Sequence, residues 1–323
     1  MTADPRTGAG PVADLTDDDV VIVEVGPRDG LQNESSHVPT ERKIAFIEAL
    51  ADAGHRRIEA TAFVSPKVIP QLADADAVAA HLPVRDGLRF TALVPNAQGM
   101  ERARRTGIQE WAVFTAASET FNQKNINCSI DESFSRFVDV IAGARADGIR
   151  VRGYCSTSIH CPYEGRVPTS ATVDVVRRLL EAGCNEVSLG ETIGKGTPGQ
   201  VHELCSALAS EGLLSACAVH FHDTYGMGAA NALAAYDEGV RIFDASAGGL
   251  GGCPYAPGAA GNTATEDLLF MFNGMGVKAG VDLDKQVAAS RLIEHVLKRP
   301  MPSNAYRALE ARGKKRRPNL EMS

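Results

Sequence analysis

No stretch of the 323-residue chain approaches the run of about 18 apolar residues that a membrane-spanning helix needs, so no membrane partner is expected. Residues 1–19 carry Pro, Gly and Asp but lack the apolar core of a signal peptide, and they are expected to be a disordered leader on a cytoplasmic protein. The seven cysteines (Cys128, Cys155, Cys161, Cys184, Cys205, Cys217 and Cys253) contain no C-x-x-C pair and are odd in number. That argues against both a zinc cluster and a disulfide framework. Positive charge is not in excess either. With 33 basic against 40 acidic residues the net charge is −7, which disfavours nucleic acid as a partner. The one basic run, residues 312–317, is expected to belong to a solvated tail covering 312–323.

What is present is ordinary for a globular enzyme: 44% hydrophobic and 23% charged residues. Short β-branched runs at 21–25, 57–61, 89–94, 110–115, 150–155, 185–189, 217–221 and 240–245 alternate with stretches of helical period near 40–53, 70–81, 96–106, 130–147, 169–182, 198–211, 226–238 and 264–275. Eight such units imply an α/β fold, a (β/α)8 TIM barrel over residues 20–280, with a small C-terminal helical appendage over 281–311. A doubly wound sheet would want G-x-G-x-x-G after its first strand. The chain has Gly26-Pro27-Arg28-Asp29-Gly30 there. Local signals agree with the helices: Ser129-Ile-Asp-Glu132 fits a capping box, Thr197-Pro198 opens a helix, and Gly183 closes one. Thr263-Ala-Thr-Glu266 also fits a capping box.

Barrel active sites form at the carboxyl ends of the strands. Arg28, Asp29 and Gln32 follow the first strand, Glu59, Thr61 and Ser65 the second, Tyr154 and Cys155 the fifth, and Glu191 and Thr192 the sixth. The seventh strand closes on His220-Phe221-His222, two imidazoles that share a face because strand residues i and i+2 do. The eighth opens into Gly248-Gly-Leu-Gly-Gly252-Cys253, with Asn262 and Glu266 beyond it. Any one of these residues has an ordinary structural reading, a turn pair for Asp29-Gly30 or a surface charge for Arg28, but their convergence on one rim points to a site. Asp29, His220, His222 and Asn262 make a mixed nitrogen and oxygen set with no thiolate. Such a set suits Mg2+ or Mn2+, with Co2+ or Zn2+ as other occupants. Cys253, in a glycine-rich loop, is expected on a lid.

At these residues the chain resembles the DRE-TIM metallolyases, and within them the 3-hydroxy-3-methylglutaryl-CoA lyase family. The matching segments are Val23-Glu-Val-Gly-Pro-Arg-Asp-Gly-Leu-Gln-Asn-Glu34, Phe63-Val-Ser-Pro-Lys67, Lys124-Asn-Ile-Asn-Cys128, Cys161-Pro-Tyr-Glu-Gly165, His220-Phe-His-Asp-Thr-Tyr-Gly226 and Gly249-Leu-Gly-Gly-Cys-Pro-Tyr255. The resemblance implies a carbon–carbon lyase of acyl-CoA, with Asp29, His220, His222 and Asn262 as metal ligands, Arg28 as electrophile and Cys253 as the lid cysteine. Lys124 and Asn125 match its CoA-facing segment. Catalytic candidates are therefore Arg28, Asp29, Glu59, Glu191, His220 and Cys253; Gln32, Tyr154, Lys124 and Asn125 are expected to bind the substrate.

Two departures stand out: Leu189-Gly-Glu-Thr-Ile-Gly194 where the family has Asp at the third position, and Ala60-Thr61-Ala62 after the second-strand glutamate. The first leaves open a lyase for a longer 3-hydroxy-3-alkylglutaryl-CoA. A Claisen-type synthase of the same superfamily usually reads His-x-His-Asn-Asp after strand seven, where this chain has His-Asp-Thr-Tyr. A non-catalytic metal-binding barrel is the remaining alternative, and the intact rim argues against it. The assembly is left open, with a homodimer among the options.

Overall fold

The computed structural model describes residues 18–252 and 261–316, with side chains as far as Arg312. Eight parallel strands close into a barrel: β1 (Val21–Glu24), β2 (Arg57–Ala62), β3 (Arg89–Leu93), β4 (Glu110–Ala116), β5 (Arg150–Ser156), β6 (Glu186–Glu191), β7 (Cys217–Phe221) and β8 (Ile242–Ala245), with β8 pairing β1. Around them run α1 (Thr40–Asp52), α2 (Ala75–Ala80), α3 (Ala97–Ala103), α4 (Glu119–Ile126), α5 (Ile130–Ala146), α6 (Thr169–Ala182), α7 (Pro198–Ser210), α8 (Gly228–Asp237) and α9 (Thr265–Gly274). The expected barrel is thus observed, with strand ends within about two residues of those read from the sequence, the usual uncertainty of element boundaries.

Alternation along the strands divides the interior. Val187, Leu189, Val219 and Phe221 point outward into the main core beneath the helices. Val21, Val23, Val25, Ala218 and Ile242 form a small apolar cluster inside the barrel. The lumen also holds the buried charges of Arg57, Glu110, Arg152, Glu186 and Asp244.

The helix signals hold where side chains supply them. Ser129 and Glu132 exchange the two bonds of a capping box at α5, Pro198 is the first residue of α7, and Gly183 closes α6 at φ 115°. Glu266 does not behave as expected. α9 starts after Ala264 with no side-chain cap, and the Glu266 carboxylate instead accepts from Gly248 N at 2.8 Å and from Ser290 Oγ. It ties the loop after β8 to α10 (Leu283–Leu297).

One helix, α4, has no counterpart among those expected. It is capped by Ser118, whose Oγ accepts from Phe121 N at 3.1 Å, and it has few apolar residues to mark a period. A two-stranded hairpin, His160–Cys161 with Gly165–Arg166, lies between β5 and α6. The C-terminal appendage consists of α10, packed on α1 and α9, and α11 (Asn304–Arg316), packed on α9 and α10. α11 runs into the segment read as a solvated tail; residues 1–17 of the expected leader 1–19, Cys253 and residues 317–323 lie outside the described residues. Among the described residues no helix is long and apolar enough to cross a membrane.

Candidate active site and metal centre

The chain leaves β1 in a single wide helical turn, Gly26–Gly30, that lifts Arg28 and Asp29 onto the rim. The turn is pressed against the segment after β8 and fits there only because residue 30 is glycine: a Cβ on Gly30 would lie 2.8 Å from Ser246 Oγ and 2.9 Å from Leu250 Cβ. On the other side of β8 from this turn, β7 delivers His220, and the chain continues to His222, which pairs by backbone with Asn262. The two imidazole centroids are 5.4 Å apart. One ligand atom each of Asp29, His220 and His222 falls within 4.8 Å of the others. Asn262 joins them through Nδ2, which donates to Asp29 Oδ2 at 2.9 Å and to Leu250 O at 3.1 Å.

These residues fit a divalent cation. Asn262 Oδ1 and His222 Nδ1 are both buried without a hydrogen-bond partner, an arrangement that is costly unless something else engages them. Burial opposes ionisation of Asp29, but Arg28, His220 and His222 outweigh it and hold the carboxyl at about 2. Burial, aided by His220, depresses His222 to about 4, so the ring is neutral at neutral pH and one nitrogen offers its lone pair. A metal ligand needs an ionised carboxylate and neutral imidazoles. Asp29 and His222 meet that condition, and the sequence-predicted ligand set Asp29, His220, His222 and Asn262 is brought together in space.

Arg28 sits beside this cluster with 6% of its surface exposed. Its Nη1 donates to Asp29 Oδ1 at 2.6 Å, its Nη2 pairs with Glu59 Oε2 at 2.7 Å, and its guanidinium lies 5.4 Å from the Tyr154 ring centroid. Burial alone would lower its pKa, yet Glu59 and Asp29 raise it, so the charge is permanent. Glu59 is fully buried. Desolvation raises its pKa against the pull of Arg28. Gln32 Oε1 accepts from Arg28 Nη1 at the long distance of 3.4 Å. Lys124 and Asn125 lie on α4, where Lys124 Nζ stands 5.1 Å from the Tyr163 ring centroid. Cys253 lies outside the described residues; the residue before it is anchored, with Asn33 Nδ2 donating to Gly252 O at 3.1 Å.

Among the described catalytic candidates, Glu191 is the one that the structure does not bring to the cluster. As the last residue of β6 it follows Val187 and Leu189 on the outward face, and its Oε1 accepts from Lys195 N at 3.2 Å. It helps line a cavity of about 10 Å3 with Ser158, Ile159, Val201, Leu204 and Cys205. A Cβ on Gly196 would come within 2.8 Å of Glu191 Cγ, so glycine there makes room for the longer acid.

Asp244 is the residue in contact with this cluster that sequence reading missed. It accepts from His220 Nδ1 at 3.2 Å, from Ser188 Oγ at 2.8 Å and from Arg152 Nη2 at 2.6 Å. The signal was available: an acid within the Ile-Phe-Asp-Ala run of β8, one residue before its end, in register with His220 on β7.

Comparison with known proteins places this site in a family. Residues 19–293 match the HMGL-like family model. The chain is 51% identical over 293 residues to the hydroxymethylglutaryl-CoA lyase of Pseudomonas mevalonii, covering 91% of this chain and 97% of that protein. Among solved structures, that of hydroxymethylglutaryl-CoA lyase from Pseudomonas aeruginosa superimposes with a TM-score of 0.89 at 48% identity, over 91% of this chain and 98% of the other. An HMG-CoA lyase from Acinetobacter baumannii, solved in complex with coenzyme A and 3-methylmalate, gives 0.86 at 37% identity, over 95% and 97%. With a family model spanning most of its length and relatives of this identity, the chain belongs to the HMGL-like family.

Proposed function

We propose that this protein is a metal-dependent carbon–carbon lyase that cleaves 3-hydroxy-3-methylglutaryl-CoA into acetyl-CoA and acetoacetate. The observation that carries the reading is the juxtaposition of Asp29, His220 and His222, all within 4.8 Å, with the buried guanidinium of Arg28 hydrogen-bonded to Asp29. In a retro-Claisen cleavage the tertiary hydroxyl loses its proton, the C2–C3 bond breaks as the ketone forms, and the thioester enolate released must be protonated. A divalent cation held by Asp29, His220, His222 and Asn262, Mg2+ or Mn2+ in this reading, supplies Lewis acidity for the hydroxyl.

The chain's own groups have separable tasks. Arg28 is fixed by two carboxylates and stacked on Tyr154, so its charge is preorganised for the thioester oxygen on which enolate charge gathers. His220 has Nδ1 committed to Asp244 and Nε2 facing the cluster, which leaves it no nitrogen for the substrate proton. Glu59 takes that proton. It is buried next to Arg28, its Oε1 has no hydrogen-bond partner, and burial raises its proton affinity. Cys253, the next residue after Gly252, whose carbonyl accepts from Asn33 Nδ2, protonates the enolate carbon. Gln32 and Tyr154 face the acyl group, and Lys124 and Asn125 the CoA moiety. Because Glu191 packs behind the strand, its departure from the family's Asp does not favour a longer acyl chain.

We place the enzyme in the cytoplasm, which fractionation tests. The reaction is tested by incubating purified protein with 3-hydroxy-3-methylglutaryl-CoA and Mg2+ or Mn2+. Acetoacetate and acetyl-CoA in equal amounts are expected, and their absence from metal-loaded protein refutes the assignment.

A further inference from the structure

The barrel lumen, where a TIM barrel ordinarily stacks layers of branched apolar side chains, here holds a ladder of charges. At its foot Thr91 Oγ1 donates to Glu110 Oε2 at 2.7 Å, and Arg57 bridges Glu110 Oε2 at 3.0 Å and both oxygens of Glu186 at 2.8 and 3.0 Å. Arg152 Nε pairs with Glu186 Oε1 at 2.8 Å, and its Nη2 donates to Asp244 Oδ1 at 2.6 Å. Asp244 Oδ2 accepts from Ser188 Oγ at 2.8 Å and lies 3.2 Å from His220 Nδ1. Every charged member from Glu110 to Asp244 is 3% exposed or less. Such a ladder costs desolvation that apolar residues would avoid, so stability alone is a weak reason for its presence.

Its upper end has a consequence for the ring it touches. Arginine is an obligatory donor, so Asp244 Oδ1 must accept. An ionised carboxylate offers no proton at Oδ2 either, so the hydrogen between Asp244 and His220 has to be on Nδ1. The Nε2 lone pair is then the one left for the cluster with Asp29 and His222. We propose that Asp244, held by Arg152 and Ser188, is a positioning residue that fixes the tautomer and ring orientation of His220 so that Nε2 is the ligating nitrogen. The inference rests on the reading of His220 as a metal ligand and deepens it with the outer partner that such ligands generally have.

Asp244→Asn separates position from chemistry. The amide oxygen can still accept from Arg152, which turns the NH2 toward His220, so Nδ1 must become the acceptor and Nε2 the protonated nitrogen. Long-range 1H–15N spectra of histidine-labelled protein at a fixed pH of about 8.5, with His220 assigned by its own substitution, report the tautomer directly. Nδ1–H is expected in the native chain and Nε2–H in Asp244→Asn. Mn2+ affinity, followed by electron paramagnetic resonance, is expected to fall about 10- to 100-fold.

Nε2–H in the native protein overturns the proposal whether or not the variant folds. So does an unchanged tautomer with Mn2+ affinity within threefold in the variant. A native chain that shows Nδ1–H but binds no Mn2+ overturns the metal reading and leaves the Asp244–His220 coupling standing.

Discussion

Glu191 gives a prediction whose size follows from its surroundings. It is fully buried at the end of β6, with Oε2 unpartnered. Desolvation raises its pKa from the ordinary 4.5 to about 7, even though the amides of the Gly194–Gly196 turn pull it down. The folded acid thus holds its proton to higher pH than the unfolded chain does. Ionising it costs the native state alone, so stability falls as pH rises from 4.5 toward 7, and the loss is complete above that. Between pH 5.5 and 8.0 the folded and unfolded proton counts differ by roughly 1.4 pH units of titration, or about 2 kcal/mol at about 1.4 kcal/mol per unit. Glu191→Gln keeps the acceptor for Lys195 N and removes the titration. For a chain of 323 residues a 2 kcal/mol change corresponds to about 3 °C in Tm. Calorimetry on both proteins should therefore show the variant gaining about 3 °C on the native chain as pH is raised from 5.5 to 8.0. A difference in Tm between the two that stays constant across this range means that Glu191 is ionised throughout, and the reasoning from burial fails.

Removing the metal tests the cluster: exhaustively chelated protein should be inactive and recover with Mg2+ or Mn2+, and His222→Ala should weaken Mn2+ binding by more than about a hundredfold, measured by calorimetric titration. Arg28→Lys replaces a fork that reaches both Asp29 and Glu59 with a single ammonium; kcat is expected to fall about 10²- to 10³-fold with KM within a few-fold, by steady-state kinetics. Cys253→Ser should fold and bind metal but lose turnover, and substrate should protect Cys253 from alkylation in the native protein. Labelling of another cysteine first, in mass spectrometric mapping, would count against the lid role.

The barrel was legible because its strands and helices differ in period, and the two histidines because period two places them on one face. α4 was not, since Glu119 to Ile126 has too little apolar surface to mark a stripe; a cap and tertiary contacts make it a helix. Glu191 misled for a related reason. Its position after β6 puts it on the catalytic rim in sequence terms, but rim position and strand parity are separate facts. Parity with Val187 and Leu189 sends the carboxylate behind the wall. Glu266 followed a capping pattern that a nearer set of donors overrode: Gly248 N and Ser290 Oγ compete for the same oxygens, and the second comes from a helix that sequence reading had no means of docking there.

The same competition explains how the site is assembled from distant segments. Ala247 N donates to Glu24 Oε1 at 2.9 Å and Gly248 N to Glu266 Oε2 at 2.8 Å, so two buried acids hold consecutive amides at the root of the loop after β8. Glu24 Oε1 also accepts from Gly26 N at 2.8 Å, where the turn bearing Arg28 and Asp29 begins. A single carboxylate therefore joins the start of the turn bearing Arg28 and Asp29 to the segment that follows β8. Asn262 closes the same circuit, donating to Asp29 and to Leu250 O. The turn, the loop root and Asn262 are in this way referenced to one another. That is what an arrangement needs if groups separated by more than 200 residues are to meet a substrate within the tolerance of about 1 Å that catalysis allows.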